Sequence, residues 1–128
     1  MTAPVPPAGR QQAYRWGLAA ETRAAIALIL KGYRIIGRRV RTGAGEIDLV
    51  ARRGSTVAIV EVKARADPAV ALEAVGPKAQ HRLSRAAAAW LARNPAYADH
   101  TLRFDIVVVT PGRWPQHLSN AFEERTRF

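Results

Sequence analysis

The alternation of hydrophobic and polar positions along the chain predicts two amphipathic helices. The first covers residues 14–31 and ends at Gly32. Its apolar face is predicted from positions that recur at the helical period, namely Leu18, Ala25, Ile26, Ile29 and Leu30. The second helix covers residues 77–93 and begins with Pro77, a residue suited to a first helical turn. Its apolar face comprises Ala79, Leu83, Ala86, Ala87, Trp90 and Leu91.

Short runs rich in β-branched residues predict four strands, at residues 33–40, 46–52, 57–63 and 103–109. Tight turns join the first three strands into an antiparallel meander. Residues 64–76 are predicted to form a loop, and the tail that carries Trp114 and Phe122 is expected to pack back on the core. The order helix, three strands, helix, strand predicts an α/β fold whose last strand lies parallel to the third.

The length of 128 residues allows one compact domain. Prolines and the absence of an apolar segment predict a disordered tail over residues 1–12, followed by a single domain over residues 13–128. The longest strongly apolar run, residues 24–30, is too short for the ~20 residues that a bilayer requires. We therefore expect a cytoplasmic protein that makes no membrane contact.

The composition excludes several classes of chemistry. Cysteine is absent, which excludes disulfide frameworks, thiolate metal sites and thiol nucleophiles. The three histidines are not spaced as zinc ligands. Any metal must therefore be a hard cation bound through oxygen.

A formal charge of +10 and an isoelectric point near 11.4 favour a polyanionic partner, with DNA first and RNA as an alternative. Seventeen of the twenty basic residues are arginine, a count that a genome-wide arginine bias would also produce. Lys78, Arg82, Arg85 and Arg93 form a cationic stripe on the second helix, for which the alternative is a solvated helix face. A second basic set comprises Arg38, Arg39 and Arg41.

Three acidic residues lie inside predicted strands, where acids are disfavoured unless something uses them. They are Glu46, Asp48 and Glu61. If Gly54 and Ser55 form the centre of the turn, the register places Asp48 across from Glu61 and Glu46 across from Lys63. All four side chains are then predicted to share one face of the hairpin.

Two carboxylates at directly opposed positions destabilise a hairpin unless a cation lies between them. Asp48 and Glu61 therefore predict a site for Mg²⁺ or Mn²⁺, which take carboxylate oxygens and keep waters. Lys63 lies two residues beyond Glu61, where its ammonium can orient an attacking water or stabilise a developing negative charge. The alternative is a plain cross-strand ion pair between Glu46 and Lys63, with the other two carboxylates facing solvent.

The segments Gly45-Glu46-Ile47-Asp48-Leu49-Val50 and Val60-Glu61-Val62-Lys63 resemble the PD-(D/E)XK signature of the restriction-endonuclease-like superfamily. More narrowly, residues 16–109 resemble the YraN-type family of small uncharacterised bacterial proteins, which is similar to archaeal Holliday junction resolvases. The resemblance implies a restriction-endonuclease-like αβββαβ core, a mixed sheet flanked by helices. Ile47 stands where the superfamily label has proline.

The resemblance also implies a set of site residues. Asp48 and Glu61 would be metal ligands, with the Val62 carbonyl as a further ligand, Lys63 as the catalytic lysine and Glu21 as an additional acid from the first helix. A solvated surface position explains Glu21 equally well on the sequence alone.

The resulting hypothesis is a Mg²⁺-dependent DNA endonuclease acting on branched or structured DNA. Arg41, Lys78, Arg82 and Arg85 are its expected contacts to nucleic acid. Cutting a junction would require two sites, and hence a homodimer. The alternatives are a catalytically silent nucleic-acid-binding module that acts with a partner, and a basic scaffold that binds other proteins.

Overall fold

The computed structural model describes residues 5–65 and 75–122, and the side chains within these ranges from residue 16 onward. The helices are α1 (Val5–Leu30), α2 (Pro77–Arg93) and a short 3₁₀ helix (Pro95–Tyr97). The strands are β1 (Arg34–Thr42), β2 (Gly45–Arg53), β3 (Thr56–Ala64), β4 (Thr101–Val109) and β5 (Gln116–Phe122).

The described strands form one mixed sheet in the order β1-β2-β3-β4-β5. The β1, β2 and β3 strands pair antiparallel, β3 and β4 pair parallel, and β5 pairs antiparallel with β4. The α/β architecture of a mixed sheet flanked by two helices is confirmed, and it is consistent with a restriction-endonuclease-like core. The β5 strand goes beyond the αβββαβ order that we predicted.

Each face of the sheet packs against one helix, because the strands bury alternate side chains on opposite faces. The α2 face centres on Leu83 and Trp90 of the helix, together with Ile47, Ile59 and Phe104 of the sheet. The α1 face is built from small helix residues and an aliphatic sheet surface: Ala20, Ala24, Leu28, Leu49, Val60 and Val107.

The predicted apolar face of the first helix is wrong in part. Ile26, Ile29 and Leu30 are 48%, 52% and 70% exposed, whereas small alanines such as Ala20 and Ala24 are buried. Every residue over 24–30 is apolar, so the period does not define one face. The alanines lie against the sheet because they let the helix approach it closely.

The α1 helix also begins earlier than the pattern predicted, at Val5. Residues 5–12 are part of the segment that we expected to be a disordered tail, and they are helical in the structure, whereas residues 1–4 lie outside the described residues. Pro6 and Pro7 lie in the first turn, where the missing N–H groups remove no helical hydrogen bond.

Most of the predicted loop over 64–76 lies outside the described residues, since the structure does not describe 66–74. No helix among the described residues is long and apolar enough to cross a membrane. A cytoplasmic location stays a prediction.

Candidate functional site

The β2–β3 hairpin opens at Asp48. The antiparallel ladder runs from Arg53↔Thr56 to Leu49↔Val60, in the predicted register. Two residues beyond Val60, the Val62 N–H donates a hydrogen bond of 2.8 Å to the side-chain Oδ2 of Asp48, in place of a ladder hydrogen bond to the β2 backbone. The Asp48 carboxylate therefore stands where the two strands separate.

The separation of the strands corrects the predicted pairing of Glu46 with Lys63. Beyond Asp48, β2 pairs with β1, and Glu46 is the register partner of Arg41. Its carboxylate lies 3.3 Å from the Arg41 guanidinium, and 53% of the side chain is exposed. Glu46 therefore does not join the other three groups, because β2 follows β1 rather than β3 at this end of the sheet.

The Asp48 and Glu61 carboxyl groups come together, as the register predicted. Burial and, to a smaller extent, the charge of Glu61 raise the pKa of the Asp48 carboxyl from 3.8 to about 7. The protonated form is also favoured by a hydrogen bond between the two carboxyl groups, and the Val62 N–H opposes these effects. Without a cation, the Asp48 carboxyl therefore keeps its proton up to about pH 7.

Two basic groups face Glu61, whose side chain is only 7% exposed. The Lys63 Nζ lies 3.1 Å from Glu61 Oε2, and the Arg82 Nη2 of α2 lies 3.7 Å from the same oxygen. A Cβ at Gly45 would lie 3.3 Å from the Arg82 side chain, and Gly45 has a φ of +141°, so glycine leaves Arg82 its space. The sequence placed Arg82 on a basic stripe but gave no sign that it reaches Glu61.

Glu21 lies at the edge of this pair. It is buried on α1, and its charge adds to the raised pKa of Asp48. Its Oε1 lies 3.3 Å from the Arg39 Nε and 3.8 Å from the Arg38 Nε. These contacts lack hydrogen-bond geometry, so Oε1 is buried without a hydrogen-bond partner among the described groups. The alternative that Glu21 is a solvated surface residue is therefore wrong, because Glu21 is buried.

A basic groove lies at the start of α2. It encloses about 630 Å³, and three of the predicted nucleic-acid residues line it together with His81, namely Lys78, Arg82 and Arg85. Arg41, the fourth, is not among the residues that line it and is 88% exposed beside Glu46. Arg82 is the residue that links the groove to the site, because it lines the groove and its guanidinium also approaches Glu61.

The donor set fits a hard divalent cation. Asp48 and Glu61 supply carboxylate oxygens, and the buried Oε1 of Glu21 has no hydrogen-bond partner among the described groups. No three His, Cys, Asp or Glu side chains in the described ranges stand close enough to form a complete metal cage. Two carboxylates are nevertheless what Mg²⁺ takes when waters and substrate phosphate oxygens complete its shell.

A second buried polar cluster joins β4 and β5, and no sequence pattern predicted it. Asp105 is fully buried, and Arg103 donates to both of its carboxylate oxygens at 2.8 and 2.7 Å. The His117 Nε2 lies 2.7 Å from Asp105 Oδ2, and Arg103 also donates to the Tyr33 hydroxyl. Every partner lies within the fold, so this cluster fixes β5 to the sheet.

Comparison with known proteins gives a family but no activity. Residues 20–109 match the uncharacterised protein family UPF0102. The chain is 56% identical to a UPF0102 protein of Parvibaculum lavamentivorans over 116 residues, 91% of this chain and 87% of the relative. It is 53% identical to a UPF0102 protein of Mesorhizobium japonicum over 120 residues, 94% of this chain and 96% of the relative. The protein belongs to the family UPF0102.

Proposed function

We propose that the protein is a divalent-metal-dependent nuclease that hydrolyses phosphodiester bonds in DNA, with Asp48, Glu61 and Lys63 at its centre. The observation that carries the proposal is the contact between the Asp48 and Glu61 carboxyl groups, together with the approach of Arg82, which lines a basic groove, to Glu61. Buried like charges are unfavourable for folding. A fold that brings two carboxyl groups together, with an arginine of a basic groove facing one of them, is suited to bind a cation and a polyanion together.

The groove residues hold the substrate. Lys78, Arg82 and Arg85 line one cavity, so their charges can follow successive phosphates of one strand. The described part of the chain contains no helix-turn-helix that would read base edges, so these contacts position the backbone. Arg82 connects the two functions because it also approaches Glu61.

Lys63 orients the attacking water in this proposal. Its ammonium lies 3.1 Å from Glu61 and only 18% of the side chain is exposed, so its position is fixed. From there it holds the attacking water by a hydrogen bond and stabilises the negative charge that develops on the phosphate oxygens. Asp48 and Glu61 would hold Mg²⁺ or Mn²⁺. When bound, such a cation lowers the pKa of a bound water and neutralises phosphate charge.

The test is cleavage of labelled single-stranded, duplex, flapped and four-way-junction DNA, with and without Mg²⁺ or Mn²⁺. The wild type should give metal-dependent products, and Asp48→Asn and Lys63→Met should give none. Asp99→Asn is the matched control, because it removes a carboxylate that is 91% exposed at a position outside the site. Cleavage that survives both site substitutions would refute the proposal.

A catalytically silent binding module would give a different result in the same assay. The DNA would stay intact under every metal condition but would still be retained by the protein. Its affinity would fall steeply with salt and would not depend on Lys63. Homodimerisation, which a junction-cutting enzyme requires, is tested by sedimentation of the same samples with and without four-way junction.

A further inference from the structure

We propose that Trp114 and the residues around it form a stacking platform for an unpaired base of the bound strand. This inference rests on the proposed function, and it narrows the substrate class to DNA that carries unpaired nucleotides. The Trp114 surface is a cavity of about 210 Å³ lined by Arg23, Ile26, Arg113, Trp114 and Pro115. None of these residues belongs to the candidate metal site or the basic groove.

The first observation is that Trp114 is 65% exposed, although we expected it in the core or at its edge. A tryptophan exposes a large apolar ring only at an energetic disadvantage, so an exposed ring next to a cavity is typical of a binding surface. Ile26 forms the adjoining apolar wall and is 48% exposed.

The backbone that carries this ring is constrained before any ligand binds. The Arg113 N–H donates to the Thr110 carbonyl at 3.1 Å, closing a turn in which Pro111 comes second and Gly112 third with a φ of +75°. This is the arrangement of a type II turn. Pro115, which is buried, then restricts the backbone of Trp114 itself. A rigid platform loses little conformational entropy when a planar group stacks on it.

The chemistry of the rim indicates what the platform binds. Arg23 and Arg113 line the cavity together with Trp114, and the Arg23 guanidinium lies 5.4 Å from the centre of the Trp16 ring. A nucleotide matches this combination, since its base stacks on an aromatic ring and its phosphate pairs with arginine. A second copy of this chain matches it poorly, because a symmetric contact would bring these arginines together in a protein of charge +10.

The platform lies at the same end of the sheet as the candidate metal site. The β3 and β4 strands are parallel, and Lys63 is the register partner of Val108, so the loop after Val109 leaves the sheet beside Lys63. Glu21 and Arg23 lie on opposite flanks of α1, since two residues differ by about 200° around a helix. The candidate metal site and the platform therefore lie on opposite flanks of α1 and at the same end of the sheet, so that one bound strand can contact both.

The test compares two single strands of equal length and charge, oligothymidylate and an abasic deoxyribose-phosphate strand, by fluorescence anisotropy in EDTA so that no cleavage occurs. The wild type should bind oligothymidylate more tightly than the abasic strand by on the order of tenfold. Trp114→Ala should abolish that preference and Trp114→Phe should retain part of it. Leu30→Ala is the control: it removes an exposed apolar side chain of α1 outside the cavity and should leave the preference unchanged.

Two results would overturn the inference. One is equal affinity of the wild type for the two strands, which would instead favour an acidic protein as the partner of this surface. The other is a self-associated protein in which Trp114→Ala and Leu30→Ala both weaken association and neither alters the strand preference. Each is distinguishable from failure of the proposed nuclease, because this assay contains no metal and measures no cleavage.

Discussion

The substitution Asp48→Asn should make the metal-free protein more stable at neutral and alkaline pH. The amide keeps the shape of the side chain and still offers an oxygen to the Val62 N–H, which lies 2.8 Å from Asp48 Oδ2. What it removes is a partly buried negative charge beside Glu61. Removal of a residue from the centre of a site therefore stabilises the fold, whereas removal of an ordinary core partner destabilises it.

The magnitude follows from the raised pKa of Asp48. Its folded-state value of about 7 lies above the unfolded value of 3.8, so the native state holds a proton that the unfolded chain has lost over this interval. Stability contributed by that proton is complete below the unfolded pKa and is lost as the pH rises through the folded pKa. At about 1.4 kcal/mol per pKa unit, the ionised carboxylate destabilises the fold by up to about 4 kcal/mol above neutrality.

The assay is thermal unfolding in EDTA at several pH values. Above neutrality, each kcal/mol of that gain corresponds to a rise in Tm on the order of 5 °C for a domain of this size. At about pH 4, where the wild-type carboxyl is protonated, the two proteins should unfold at nearly the same temperature. Asp99→Asn, at an exposed carboxylate, should show no pH-dependent gain. A variant that is no more stable than the wild type above neutrality, or a gain independent of pH, would refute the reasoning.

Two further predictions concern the buried cluster and the groove. Asp105→Asn should destabilise the protein by about 3 kcal/mol in urea unfolding, because it leaves the partly buried Arg103 guanidinium without its carboxylate. Burial opposes ionisation of Asp105, but hydrogen bonds from His117 and Arg103 lower its pKa. The stability that the ionised carboxylate contributes should therefore be lost as the pH falls through that lowered pKa. An Asp105→Asn variant as stable as the wild type would contradict this. Replacing Lys78 and Arg85 with alanine should reduce the slope of log affinity for duplex DNA against log salt by about 2. Arg34→Ala is the control, because Arg34 is exposed at the first position of β1, and it should leave the slope unchanged. If Arg34→Ala and the Lys78 and Arg85 replacements reduced the slope equally, the groove would not be the site of the phosphate contacts.

The sequence predicted the hairpin register because two independent signals agreed. A turn at Gly54 and Ser55 fixes which residues are opposed, and the period of two fixes which face they share. The register partners Arg52↔Val57 and Leu49↔Val60 confirm it. What the sequence could not show was the point at which the ladder ends, because that depends on the Asp48 side chain taking the Val62 N–H.

Elements that have one apolar and one polar face were predicted accurately, and elements without that contrast were not. The α2 helix has polar and apolar faces, and its bounds, Pro77–Arg93, are those that the pattern predicted. The β5 strand was missed because it lies at the edge of the sheet, where most of its side chains are exposed and no hydrophobic alternation is required. The α1 face was misassigned because its apolar residues surround the helix.

The candidate site depends on contacts between elements that are distant in the sequence. Periodicity places Arg82 on a face of α2, but only the packing of α2 on the sheet brings its guanidinium to 3.7 Å from Glu61. The same is true of Glu21, whose burial depends on how α1 lies against β1 and β2. Sequence patterns therefore predicted which carboxylates come together. Which basic side chains face them depends on tertiary packing.

The most direct test of the central claim is calorimetric titration of the protein with Mn²⁺ in buffers of different ionisation enthalpy, because it needs no nucleic acid. We expect saturable binding that Asp48→Asn abolishes and Asp99→Asn does not. Near pH 6, binding should release about one proton, since the cation replaces the proton held by the Asp48 and Glu61 pair, and above about pH 8 it should release almost none. A wild type that takes up no Mn²⁺, or takes it up equally well after Asp48→Asn, would contradict the account.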